Sequence, residues 1–225
     1  MEDIKAPPAL GDPADGYWPA WAEAADLPTF RVRDTESSHG RYSTALKVIT
    51  VKDLVKFHGH ACDGVFRGAL AMSQVLAALD PSGEVDRTDL KVLSRNSPCL
   101  GDVAAYLTGG RVRFGTQDVR PDPGVWFVVQ KISTGEAFAV EEVPGTYPPR
   151  LSAMEAELAL AGRASPREVD QLREAQWAFV RTTLLTTPAA ALYPVRALPG
   201  FVFPPVPYAH VGPRTDVLFK RVPLA

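Results

Sequence analysis

The segment VKDLVKFHGHACDGVFRGALAMSQVLAAL, residues 51–79, predicts two helices joined by a short loop. The first is amphipathic, follows a capping box formed by Thr50 and Asp53, and ends at Gly59. The second, predicted over residues 64–79, carries most of its apolar side chains on one stripe and should be largely buried. The loop between the helices therefore leads into the N-terminus of a core helix.

That loop reads His58-Gly59-His60-Ala61-Cys62-Asp63-Gly64 and holds two of the chain's four histidines and one of its two cysteines. In an ideal helix His58 and Cys62 would share a face and His60 would point away. Convergence of all three side chains therefore requires the turn that Gly59 permits. Imidazole and thiolate together suit a borderline-soft cation, so the loop predicts a metal or reactive-thiol centre.

The second cysteine, Cys99, stands at another predicted helix start, where Ser97 can cap and Pro98 suits the first turn. The helix dipole favours a thiolate at this position, so Cys99 is predicted to supply a further ligand from a remote part of the chain. Asp102, in the same helix, is expected to act as a capping residue. Two cysteines are too few for a four-thiolate structural zinc site, and we expect an ion with an open position.

Within the loop, His60 and Cys62 are the first choice as metal ligands, together with Cys99. His58 is expected either to bind the ion or to act beside it as an acid–base group. Asp63, whose favoured role is to cap a helix, is the second candidate catalytic residue. The alternative is that His58 caps a turn, His60 is solvated and both cysteines fill the core.

The core predicts an α+β fold in which helices pack on one face of a mainly antiparallel or mixed sheet. Over residues 50–143 the predicted order is helix, strand, helix, strand, strand, strand. After the loop we predict strands at 90–93, 111–114, 125–132 and 137–142, a helix at 100–107, and a hairpin turn at 133–136. A doubly wound parallel sheet is disfavoured because strands joined by a hairpin follow one another directly.

The N-terminal segment differs in composition from this core. Residues 1–45 contain five prolines and predict an irregular arm with a short helix near residues 21–25. The metal-binding core is assigned to residues 46–147. His39 is isolated in the sequence and receives no role.

The C-terminal segment, residues 148–225, predicts a helical hairpin followed by an extended proline-rich tail. The two helices are predicted at 151–161 and 166–185, with Ser165 as the N-cap of the second. His210 lies alone in the tail, which could carry it to a site.

Charge and hydropathy exclude some classes of partner. Lys and Arg total 24 against 26 Asp and Glu, and no block of like charges forms a nucleic-acid surface. The N-terminus lacks the pattern of a secretory signal, and no apolar run approaches the ~20 residues of a membrane span. We therefore expect a cytoplasmic protein with neither a membrane nor a nucleic-acid partner, whose cysteines are free to act as ligands or catalysts.

The run from Phe57 to Gly64, with Gly68 a turn later, resembles the signature of the FmdE family, which takes its name from formylmethanofuran dehydrogenase. Cys99 with Asp102, the later glycine turns and the apolar strand before the hairpin are similar to that family's core. The resemblance covers residues 50–143. It implies an α+β core, a transition-metal ion near the His-x-Cys pair and Cys99, and a homodimer.

The chain also departs from the pattern of that family. Asp63 stands where the family usually has proline, which could alter the loop or add an oxygen ligand. The cysteine-rich zinc module that many members carry at the C-terminus is absent, and the helical hairpin and tail stand in its place. The family name reflects an operon shared with a molybdenum or tungsten dehydrogenase and does not establish catalysis.

Three functions remain open at this point. The first is a metal-binding accessory or carrier protein for a metallocofactor, with zinc expected first and nickel, iron, copper or haem iron compatible with the ligands. The second is an enzyme in which the ion activates water or substrate while His58 or Asp63 moves a proton. The third is a thiol redox protein in which Cys62 and Cys99 form a disulfide.

Overall fold

The computed structural model describes residues 17–37, 39–161, 164–206 and 221, and these form an α+β fold. His210 lies outside the described residues. The helices are α1 (Val51–His58), α2 (Asp63–Leu79), α3 (Pro98–Thr108), α4 (Pro149–Ala161), α5 (Pro166–Phe179) and α6 (Ala189–Leu192). The strands are β1 (Thr29–Thr35), β2 (Tyr42–Thr50), β3 (Glu84–Asp86), β4 (Leu90–Arg95), β5 (Gln117–Arg120), β6 (Phe127–Lys131), β7 (Ala137–Val140) and β8 (Val195–Ala197).

A five-stranded mixed sheet in the order β5-β4-β6-β7-β8 supports the helices. Its neighbours are antiparallel except for β4 and β5, which run parallel on either side of α3 in the sequence. On one face, Val92 and Val129 belong to the main core under α2 and α3. On the other face, Leu93 and Val128 are covered by the C-terminal segment that includes Phe201. The predicted α+β fold class is confirmed.

The N-terminal segment is not the irregular arm that its prolines predicted. Residues 20–24 form a short 3-10 helix close to the predicted position, but residues 29–50 form the antiparallel pair β1 and β2. β3 adds to β1 in parallel and completes a second, three-stranded sheet. Phe30 and Val32 alternate with exposed residues and are buried, which is the period-two pattern of a half-buried strand.

The strand predicted at residues 111–114 is also wrong. Residues 112–114 form a 3-10 turn closed by Gly115, whose φ of +65° lies in the left-handed region, and the strand begins only at Gln117. The segment alternates in polarity as a strand would, but the glycine on each side makes it part of a tight connection after α3.

The C-terminal helical hairpin is present as predicted. Ser165 caps α5 through a capping box with Glu168, as the sequence indicated. The α-helix ends at Phe179, and a π-helical turn follows at Val180–Leu184, so the predicted helix over 166–185 changes its hydrogen bonding near its end. No helix of the described part is both long and apolar enough to cross a membrane.

Candidate metal and thiol centre

The site begins where α1 ends. Gly59 is the C-cap of α1 with a φ of +99°, and its N–H donates to the carbonyl of Val55 at 2.9 Å. A left-handed residue at this position turns the chain sharply, which an L side chain opposes. His58, the last residue of α1, is thereby separated from the direction of the following loop and faces α3 instead.

Two helix starts bring the cysteines together. Cys62 is the N-cap residue of α2, and Cys99 lies in the first turn of α3, whose N-cap is Ser97. The helices approach closely at Gly64, where an added Cβ would lie 2.7 Å from Sγ of Cys99. Gly64 is therefore a residue of the site that the sequence analysis did not assign, and only its place within the motif pointed to it.

The ligand atoms of His58, Cys62 and Cys99 all lie within 4.8 Å of one another. The two Sγ atoms are 3.4 Å apart, and Sγ of Cys99 is 3.7 Å from Nε2 of His58. One imidazole nitrogen and two thiolates form a donor set typical of zinc and other borderline-soft ions. These three residues therefore fit a transition-metal ion.

Asp102 holds the imidazole in place. Its Oδ2 accepts a hydrogen bond from Nδ1 of His58 at 2.8 Å. A carboxylate accepts at this distance, so Nδ1 carries the hydrogen and Nε2 presents its lone pair to the sulfurs. The capping role expected for Asp102 is wrong, because its carboxylate binds His58, whose side chain is 4% exposed.

His60 is not one of the three converging residues, although the sequence placed it first among the ligands. Its side chain is exposed, and its ring centroid lies 4.5 Å from that of His58. Asp63, the other predicted catalytic residue, is 6% exposed and accepts a hydrogen bond from Nη1 of Arg67 at 3.3 Å. The structure thus brings together His58, Cys62 and Cys99 and directs Asp63 elsewhere.

The two thiols are electrostatically unequal. A hydrogen bond from the Cys62 thiol and the nearby His58 lower the pKa of Cys99 to about 7, against the opposing effect of burial. The same hydrogen bond, together with burial, raises the pKa of Cys62. Cys99 is therefore the thiol that ionises first when neither sulfur binds a metal.

A buried ion pair supports the start of α2 from below. Arg67 donates two hydrogen bonds to Glu142, at 2.9 and 2.6 Å, and its guanidinium lies 4.1 Å from the ring centroid of Tyr147. The hydroxyl of Tyr193 donates to the same glutamate at 3.1 Å. Burial raises the pKa of Asp63, and the charge of Arg67 opposes that change. These contacts join α2 to the segments after β7 and α6.

Fold and site together define an α+β protein whose His/Cys/Cys group can hold a transition-metal ion. A family profile described as FmdE, Molybdenum formylmethanofuran dehydrogenase operon, matches residues 57–193, more than half of the 225-residue chain. The chain therefore belongs to the FmdE family.

Among solved structures, the chain is similar to the crystal structure of a tungsten formylmethanofuran dehydrogenase FmdE-like protein from Syntrophus aciditrophicus. The identity is 20%, the TM-score is 0.40, and the match covers 68% of this chain and 76% of that one. A search of curated proteins found no match.

Proposed function

We propose that this protein binds a transition-metal ion through His58, Cys62 and Cys99 and acts as an accessory or carrier protein for a metallocofactor. The observation that carries the proposal is the convergence of one imidazole and two thiol ligand atoms within 4.8 Å. They come from the end of α1 and the starts of α2 and α3. A cluster drawn from three elements is specific to the folded state.

Zinc is the ion we expect first, because mixed nitrogen and sulfur ligation suits it and it needs no redox chemistry from the protein. Three protein ligands leave a fourth position for water or for a ligand of the acceptor molecule. When bound, the ion would supply Lewis-acid chemistry at that position. His60, exposed beside His58, is not required for binding in this proposal.

The engagement of the predicted proton carriers favours binding over turnover. Nδ1 of His58 donates to Asp102, and its Nε2 faces the sulfur of Cys99. The carboxylate of Asp63 is paired with Arg67. Since a general base needs a free lone pair beside the substrate, neither side chain is placed for the proton transfer that an enzyme would require.

The test is the metal content of the protein purified under reducing conditions, measured by elemental analysis and followed by zinc titration of the metal-free chain. We expect one ion per chain, abolished by Cys62→Ala and by Cys99→Ala. His58→Ala should weaken zinc binding strongly, whereas the matched variants His60→Ala and His39→Ala should bind as the unaltered protein does. Uptake that survives Cys99→Ala would contradict the proposal.

A further inference from the structure

The sulfur atoms of Cys62 and Cys99 lie closer to each other than the sulfur of Cys99 lies to Nε2 of His58. Their separation is 3.4 Å, and both side chains are free and half-buried. A disulfide requires a separation of about 2.05 Å, so a closing movement of about 1.3 Å would join them. They are the only two cysteines of the chain, which leaves each the other as its intramolecular partner.

The backbone around the pair keeps the two sulfurs in contact. Cys62 precedes α2 and Cys99 begins α3, and these helices pack against each other. Gly64 lies so close to Cys99 that even a methyl group would collide with its sulfur. The short separation therefore follows from how two helix starts pack, and rotation of one cysteine side chain is not needed to create it.

We propose that Cys62 and Cys99 form a reversible intramolecular disulfide by exchange with a small-molecule disulfide, and that this reaction abolishes metal binding. The loss of the ion rests on the proposed function, whereas formation of the disulfide does not. A metal-binding protein with this property releases its ion under oxidising conditions and recovers its site on reduction.

The reaction balances as two successive displacements. A thiolate of one cysteine attacks a sulfur of the small disulfide RSSR, forming a mixed disulfide and releasing one RS⁻. The second cysteine attacks the protein sulfur of that mixed disulfide, forms the Cys62–Cys99 bond and displaces the other RS⁻. Two protein thiols are oxidised, one RSSR is reduced to two RSH, and the two protons of the thiols pass to the leaving thiolates.

The consequence for the metal follows from the ligand set. A disulfide sulfur carries no negative charge and is a far weaker ligand than a thiolate. Oxidation removes two of the three donors at once, which leaves only His58. Conversely, a bound ion occupies both thiolates and should slow their exchange with RSSR.

The experiment uses the full chain, loaded with Zn²⁺, freed of reductant and exposed without oxygen to an excess of oxidised glutathione. A chromogenic chelator reports released zinc, a thiol titration counts free cysteines, and peptide mass spectrometry locates the disulfide. We expect one ion released for each Cys62–Cys99 disulfide formed, loss of both thiols, and full recovery of zinc binding after dithiothreitol.

Single-cysteine variants separate exchange from metal release. The metal-free Cys62→Ala and Cys99→Ala chains should each stop at a mixed disulfide with glutathione, which intact mass detects. The metal-free unaltered chain should carry no bound glutathione, because its second thiol displaces it. His39→Ala, outside the site, should behave as the unaltered chain in both assays.

The outcomes distinguish this inference from the proposed function. If zinc binds and excess oxidised glutathione leaves the ion and both thiols in place, the inference is wrong and the metal-binding proposal stands. A disulfide between two chains, or glutathione retained on the unaltered protein, also overturns it. If the disulfide forms but the reduced chain takes up no metal, metal binding and its coupling to exchange are both wrong, and the exchange itself stands.

Discussion

At the scale of single residues, the centre depends on the hydrogen bond between His58 and Asp102. The two lie 44 positions apart, and the carboxylate fixes which ring nitrogen faces the sulfurs. Asp102 and Cys99 are three positions apart in α3, so one face of one helix supplies both the candidate ligand and the group that orients the imidazole. A residue first assigned to capping thus belongs to the site.

We expect Asp102→Asn to weaken zinc binding by roughly 10- to 100-fold, because an uncharged amide no longer fixes the ring and no longer raises the basicity of Nε2. Competition with a chromogenic chelator measures the change. Asp122→Asn, an exposed carboxylate paired with Arg95, is the matched control and should leave the affinity unchanged. Equal affinity of Asp102→Asn and the unaltered protein would show that His58 needs no partner.

At the scale of elements, the site requires the break between α1 and α2. Gly59 adopts a φ of +99°, and nothing lies within 4 Å of where its Cβ would be. The glycine is needed for its backbone conformation and not for space. The capping box at Thr50 and Asp53 and the left-handed glycine are local signals, which is why the sequence alone predicted both ends of α1.

Gly59→Ala should lower the free energy of unfolding by about 1–2 kcal/mol, since an L side chain disfavours the left-handed conformation. Gly101 is the matched control: it lies within α3, its φ is not positive, and its added Cβ also meets nothing within 4 Å. Gly101→Ala should raise stability by up to about 1 kcal/mol. Urea unfolding of the reduced, metal-free proteins tests both, and shifts of the same sign would contradict the explanation.

At the scale of the whole molecule, Arg67 connects the start of α2 with the C-terminal part of the chain. Its side chain is 16% exposed and that of Glu142 is 8% exposed, so the pair is largely removed from water. Tyr193, after α6, donates to the same glutamate. The segment that follows β7 is therefore part of the structure that positions Cys62, although it contributes no ligand.

Arg67→Met should destabilise the protein by about 3–5 kcal/mol, because it leaves the carboxylate of Glu142 buried without its cation. Arg173→Met removes an arginine from an exposed pair with Asp170 on α5 and should change stability by less than about 1 kcal/mol. Thermal or urea unfolding compares the two. Similar losses for both variants would show that burial of the Arg67 pair does not matter.

The sequence by itself determined the features that depend on near neighbours in the chain. Helix starts at Thr50, Ser97 and Ser165, the glycine that ends α1, and the hairpin after β6 follow from capping, left-handed backbone and turn chemistry, which act over a few residues. The placement of both cysteines at helix starts followed from the same signals.

Only the tertiary structure decided which imidazole meets the sulfurs. His58 and His60 are two positions apart, and the choice between them depends on how α3 packs against the turn at Gly59. Cys99 lies 37 positions from Cys62, and contacts at that separation depend on the packing of helices on the sheet. The pairing of β1 with β3 was hidden for the same reason, because partners distant in sequence leave no local pattern.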